Sequence, residues 1–231
     1  MKKVFKEVES ALELIPIDFG GGCPLHKANM IAGLIVRNGL GTSLDIGVYR
    51  GRSFFAMAIA HSLTGGIAYG VDPWSRKECK QYDRPDLEAT MDEFIENTDF
   101  EDIYESVVEI QNRLGLDSCS RILRMRLDAA ISVFEEDDIY FDLVHIDGNH
   151  DTALVSSDYE MYVPRIRSKG FLVLDDISWD SIRPTFELAS SEMALLYEGD
   201  DYLHDYAIYQ RAEPGRGTRK LSRWLNRLEK V

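Results

Sequence analysis

The chain predicts an α/β protein: a doubly wound, mostly parallel seven-stranded sheet with an antiparallel edge hairpin. Three observations predict it. Short apolar runs of strand length alternate with longer stretches at helical spacing. A glycine turn follows the first run, in Ser43-Leu-Asp-Ile-Gly-Val-Tyr-Arg-Gly-Arg-Ser53. Carboxylates follow the second, fourth and fifth runs, at Asp72, Asp147 and Asp175-Asp176.

Val4, Phe5, Val8, Leu12 and Ile15 recur at helical spacing, and Pro16 with Gly20-Gly-Gly-Cys-Pro24 ends that helix. His26 to Val36 reads as a second helix, so residues 1–36 form an amino-terminal helical segment; His26 could touch a ligand or cap its helix. Leu44 and Ile46 supply the first strand, Gly47 and Gly51 let the backbone turn sharply, and Phe54 to Leu63 continues as an apolar helix. Ile67 to Val71 is the second strand. Residues 78–109 then hold twelve acids against two bases, either a solvated face or a mobile cover from which Trp74 or Tyr82 reaches substrate. Ile103, Val107, Ile110 and Leu114 restore helical spacing, Arg121 to Met125 is a third strand, and Asp128 opens another helix. Tyr140 to Ile146 is the fourth strand, Leu154 to Tyr162 a helix, Pro164 to Lys169 a connector and Gly170 to Leu174 the fifth strand. Ile182 to Ala189 is helical, and Met193–Tyr197 with Tyr206–Tyr209 forms the edge hairpin around an acidic loop, Glu198 to Asp201. Residues 211–231 carry several bases and set Leu221, Trp224, Leu225 and Leu228 on one helical face. Against so acidic a body this tail suits docking on the protein's own surface or on a second subunit better than on lipid, which keeps a homo-oligomer among the expected partners.

At 231 residues and 45% hydrophobic content the chain can bury a full core as one domain, 1–231. A formal charge of −14, from 40 acids against 26 bases, disfavours nucleic acid and anionic membranes, which leaves small molecules as the expected substrates. Three cysteines without C-x-x-C spacing indicate neither a disulfide framework nor a zinc cluster and fit a reducing cytoplasm. Charges interrupt the first residues where a signal peptide would be apolar, and no run approaches the ~18 apolar residues of a membrane span.

The glycine spacing narrows the ligand. A pyrophosphate site wants G-x-G-x-x-G, whereas here Val48, Tyr49 and Arg50 fill the run Asp45-x-Gly47-x-x-x-Gly51-x-Ser53. Asp72, about 20 residues on, stands where an acid can accept both hydroxyls of a ribose. The pair suggests a nucleoside without its phosphates. This pattern resembles the first motif of the class I S-adenosylmethionine-dependent methyltransferases, with Asp72 as the acid ending the next strand. The resemblance implies cofactor contacts from Asp45, Gly47, Gly51, Ser53 and Asp72; Asp128 could accept from the adenine amino group or cap its helix.

A second constellation, His145-Ile-Asp-Gly-Asn-His150 followed by a strand ending in Asp175-Asp176, resembles the metal-dependent O-methyltransferases of sugars and other natural products, the macrocin O-methyltransferase type. Catechol O-methyltransferase is a more distant likeness. Over roughly residues 40–190 the resemblance implies Asp147, Asp175 and Asp176 as ligands of Mg²⁺ or another divalent cation, and His150 as general base. Asn149 stands where other members carry an acid. The chemistry is coherent: converging carboxylates repel unless a hard cation neutralises them, coordination makes an alcohol more acidic, and a neutral imidazole titrating near 6.5 can take the proton. Two other readings remain: a related fold used for another reaction, as in hydroxylase-like pathway proteins, and a nucleoside-binding regulatory module needing Asp45 and Asp72 but neither His150 nor the paired acids.

Overall fold

A computed structural model describes residues 1–17, 22–199, 201 and 204–211. The expected tail helix, beyond Arg211, lies outside the described residues. The chain runs α1 (Lys2–Leu12), α2 (Leu25–Asn38), β1 (Thr42–Ile46), α3 (Arg52–Thr64), β2 (Ile67–Asp72), α4 (Arg76–Cys79), α5 (Glu88–Asn97), α6 (Phe100–Arg113), β3 (Ser120–Arg124), α7 (Leu127–Glu136), β4 (Phe141–Ile146), α8 (Thr152–Tyr162), β5 (Ile166–Asp175), α9 (Arg183–Glu192), β6 (Ala194–Glu198) and β7 (Tyr206–Gln210).

One seven-stranded sheet has the order β3-β2-β1-β4-β5-β7-β6. The first five strands are parallel, while β7 runs antiparallel between β5 and β6. Strand order reverses between β1 and β4, the place where open α/β sheets form a crevice at the strands' carboxyl ends. Side chains alternate across the central strands. Leu143, Phe171 and Val173 join α1, α2, α3 and α6 in one apolar cluster. Val144, Leu172 and Leu174 join α7, α8 and α9 in the other. Both faces are therefore covered, as near-continuous apolar strands require.

Two stretches differ from the sequence expectation. Ile166 to Lys169 belongs to β5 rather than to a connector, because Ile166 pairs with Phe141 while Arg167, Ser168 and Lys169 stay exposed. Within the acidic stretch, Glu88–Asn97 is a separate helix that buries only Met91. A mostly solvated helix leaves little apolar periodicity to read.

Arg52 ties the amino-terminal segment to the sheet. Its guanidinium donates to the backbone carbonyls of Cys23 (2.8 Å), Leu12 (3.1 Å) and Ile15 (2.8 Å), and the residue is only 6% exposed. Arg52→Met would leave three carbonyls without their donor, and the expected loss is roughly 2–5 kcal/mol of unfolding free energy. Urea denaturation checks this; an unchanged midpoint and slope would show that the segment is held by packing alone.

Candidate functional site

The site begins where two loops touch. Gly47, at φ +86°, follows β1, and a side chain there would collide with the Asp147 carbonyl after β4. The turns after β1 and β4 are thus in backbone contact across the crevice. Gly51, at φ +89°, caps α3 in the left-handed region favourable only to glycine. Tyr49 (φ +46°), Trp74 (φ +44°) and Asp176 (φ +50°) are also left-handed, and all three follow strand ends at this edge. Such conformations persist where the surrounding structure holds them.

Asp72 ends β2. Its carboxylate accepts from the backbone N–H of Tyr49 (2.9 Å) and of Trp74 (2.6 Å), so it organises the glycine turn from behind. Burial raises it to about 6 even though those N–H groups pull the other way. Trp74 is buried, and its indole donates to the Tyr49 carbonyl at 2.8 Å, which makes it part of the wall. Asp45 is fully buried; one oxygen accepts from Ser53 Oγ at 2.8 Å and the other pairs with His145 Nδ1 at 2.6 Å. Asp45 and Ser53 therefore face each other beneath the turn. Asp128 is exposed and held along one edge of the Arg126 guanidinium, by Nε at 3.0 Å and Nη2 at 3.1 Å, and α7 starts without a side-chain cap bond.

The carboxylates after β4 and β5 meet at one rim. His145 Nε2 is 3.8 Å from Asp147 and 4.0 Å from Asp175, while His150 Nε2 is 2.7 Å from Asp176 and 3.8 Å from the other oxygen of Asp147. These form two groups of ligand-type atoms, His145/Asp147/Asp175 and Asp147/His150/Asp176, each within 4.8 Å. Asp147, Asp175, Asp176 and His150, singled out by the sequence, are thus brought together. Lys27 was not among them. Its ammonium, carried by α2 and 1% exposed, bonds to Asp147 Oδ2 (3.2 Å) and to Asp175 Oδ2. The one sequence signal is its helical spacing with Ile31 and Leu34, which puts a lysine on the apolar face.

Burial and the neighbouring charge of Asp147 push Asp175 well above the carboxylate range, with Lys27 pulling back. Burial would also lift Asp147, but Lys27 and His150 hold it well below that range. The rim is short of positive charge. His150 answers part of the deficit: burial alone would lower its pKa, yet the carboxylates of Asp147 and Asp176 raise it to about 10. The reference value near 6.5 does not hold for the ion-free rim.

Gln81 was also silent in the sequence, and Asn149 stood out there only as a departure from the acid that other members carry. The Gln81 amide nitrogen lies 2.9 Å from His150 Nδ1, and the Trp179 ring packs tilted against the imidazole at 4.9 Å between centroids. Asn149 Nδ2 donates to the carbonyls of Glu78 (3.1 Å) and Lys80 (2.8 Å). An acid at that position could donate neither bond. Asp151 accepts from the backbone of Tyr82 and Asp83 at 2.7 and 2.8 Å, and Asp83 in turn accepts from Thr152 N at 2.8 Å. Residues 78–83 are therefore stitched over the loop that carries His150. Tyr82 itself stays exposed, and His26 packs its ring against His204 and Tyr206.

A methyltransferase domain matches residues 44–177, from β1 through the paired acids, which is more than half of the chain. The chain belongs to this methyltransferase-domain family. Among solved structures it resembles the O-methyltransferase from Bacillus cereus in complex with SAH, at 14% identity over 91% of each chain and a TM-score of 0.60. It also resembles TomG from Streptomyces achromogenes, an O-methyltransferase of tomaymycin synthesis in complex with SAM, at 11% identity over 91% of this chain and 90% of that one, TM-score 0.61. Cofactor-bound Rv0187 from MTB is 13% identical over 91% and 90%, with a TM-score of 0.62. At such identities the likeness is one of fold. No curated protein matches.

In this methyltransferase-domain protein the His150 proton is held more tightly folded than unfolded, so its stabilisation is complete below about 6.5, the unfolded value, and disappears as pH rises through about 10. With divalent ions chelated, NMR should find His150 still protonated at neutral pH, and Asp176→Asn should bring its titration down. An imidazole titrating at its ordinary value in both proteins would dissolve the His150–Asp176 pair.

Proposed function

We propose that the protein is an S-adenosylmethionine-dependent O-methyltransferase acting on a hydroxyl of a small molecule, a sugar moiety of a natural product being the substrate class its motifs fit best. The observation that carries the reading is the meeting of the glycine turn with an acid rim and a histidine at one sheet crevice. Asp72, at the end of β2, would accept the ribose hydroxyls on the lone pairs its backbone bonds leave free. The turn from Gly47 to Gly51 would take the amino-acid end of the cofactor against backbone.

The rim suits a divalent cation. Its donors are hard carboxylate oxygens with imidazole nitrogens beside them, and the carboxylates carry more negative charge than Lys27 offsets. Mg²⁺ or a similar ion would be held by the rim acids Asp147, Asp175 and Asp176, and would supply a Lewis acid that makes a substrate hydroxyl easier to deprotonate. The remaining work falls to side chains. With the carboxylates neutralised, His150 takes the hydroxyl proton at Nε2, which leaves the neutral ring's N–H at Nδ1 and requires the Gln81 amide, whose Nε2 lies 2.9 Å away, to turn its oxygen to that atom. The substrate oxygen forms its bond to the methyl carbon as the carbon–sulfur bond breaks, so orientation dominates the barrier. The knitted 78–83 segment and the Trp179 ring, with Arg84 stacked on it at 4.2 Å, wall the approach to His150.

Transfer of a labelled methyl group from S-adenosylmethionine to a panel of glycosylated hydroxyl compounds, with product mass, tests the activity. A product gaining oxygen rather than methyl would replace this reading with the hydroxylase-like one. His150→Ala should lower turnover by roughly 10² to 10⁴. Asp72→Ala should weaken cofactor binding by roughly 1.5–3 kcal/mol for each ribose bond lost. Because Asp72 titrates at about 6, and only its ionised form accepts both hydroxyls, wild-type affinity should fall as pH drops through that value. Calorimetry that finds a flat profile from pH 5 to 8, or an unimpaired Asp72→Ala, would end the ribose assignment.

A further inference from the structure

Away from the rim, one buried acid stands without a partner. Asp158, on α8, is 5% exposed, and among the described residues its carboxyl makes no hydrogen bond and no ion pair. Burial, and after it the charge of Asp128, lift it to about 7. A carboxyl kept out of water without a donor costs stability, which marks its position for a ligand. That position is well defined. Val155 and Tyr162 lie on the same side of α8 and are buried under the sheet, and the Tyr162 hydroxyl donates to the Leu127 carbonyl at 2.7 Å, which joins α8 to the start of α7 after β3. A side chain begun at Gly148, in the turn after β4, would come within 3.8 Å of Asp158 Oδ2 and 3.5 Å of Ile46 at the end of β1. Gly148 lies outside the left-handed region, so its backbone does not require glycine. What the missing side chain does is keep clear the space beside Asp158.

We propose that Asp158 reads the base of the methyl donor, a carboxyl oxygen accepting from the exocyclic amino group of adenine. The inference rests on the methyl-donor reading and adds a specificity-determining residue to it. With the ribose at Asp72 and the amino-acid end against the glycine turn, the base is the part of the cofactor still to be held, and it lies over the neighbouring strand ends. Asp128 and Asp158 are the acids where α7 meets α8. Asp128 is exposed and both its oxygens are taken by Arg126, whereas neither oxygen of Asp158 is taken. The amino group of adenine is a donor, and a carboxyl keeps an oxygen that accepts whether or not it is protonated. A buried acceptor also discriminates more sharply than apolar contact does, because a base without the donor would leave it unpaired.

Calorimetry with S-adenosylhomocysteine and with its analogue carrying purine in place of adenine separates the base contact from the rest of the cofactor. Wild type should bind S-adenosylhomocysteine at least about 10-fold more tightly than the analogue, and Asp158→Leu should bring the two within about 3-fold by weakening only the former. Asp158→Asn keeps an acceptor oxygen and should hold a ratio between those limits. Without cofactor, Asp158→Leu should melt at or above wild type, since a buried carboxyl that lacks a donor is gone. Lower melting of both variants would show a carboxyl that the fold itself needs, and would overturn the proposal. Equal binding of the two ligands by wild type, or full discrimination kept by Asp158→Leu, would overturn it while leaving the methyl-donor reading intact. A wild type that bound no S-adenosylhomocysteine would take down that reading, and this inference with it.

Discussion

Like charges gathered at the ends of adjacent parallel strands repel, and the rest of this molecule is arranged so that they can stay together. Asp147, Asp175 and Asp176 are fixed at the rim by the register of β4 and β5, with Ile146 opposite Leu174. Asp175 ends β5, and Asp147 and Asp176 directly follow the two strands, so the sheet keeps their backbones side by side. The compensating charge arrives from outside the sheet, on α2, and that helix covers the same face because Ile31, Leu34 and Ile35 are buried there. Apolar burial thus delivers an ammonium to a place where burial alone would forbid it. The amino-terminal segment is accordingly part of the site, although the matched domain begins only at residue 44.

What was legible in the sequence was what is local. Strand and helix periods, the glycine turn and the acids at strand ends depend on spacing within a few residues, and the sheet with its edge hairpin followed from them. The rim acids were legible because a parallel sheet puts all carboxyl ends on one edge. Lys27 was not, since it lies 120 and 148 residues from its partners and no short pattern encodes such a pairing. Gln81 was hidden for the same reason, 69 residues from His150. Asn149 was noticed only as a departure, and its reason is the two carbonyls of residues 78 and 80 that it serves.

The acidic stretch shows how one composition can serve two ends. Its opening residues, 78–83, are fastened to the loop after β4 by backbone and side-chain bonds on both sides. Further on, α5 is largely in solvent, and α6 buries only Phe100, Ile103 and Val107. Charge density alone could not separate these roles, because the fastening uses carboxylates as acceptors for backbone N–H groups as readily as solvent does.

Asp45 occupies the acid position of the first motif, yet both its oxygens are spent on Ser53 and His145 in a fully buried place. Its work is positional. Through it the start of α3 is bound to β4, and because His145 Nδ1 is taken by Asp45, the ring must aim Nε2 at the rim acids. The glycine turn and the acid rim are joined a second time where Gly47 meets the Asp147 carbonyl. Two independent connections leave little freedom between the place proposed for the methyl donor and the place proposed for the acceptor. For an in-line transfer, where a misplacement of about 1 Å can cost about 10²-fold in rate, that rigidity is the main thing a protein can contribute.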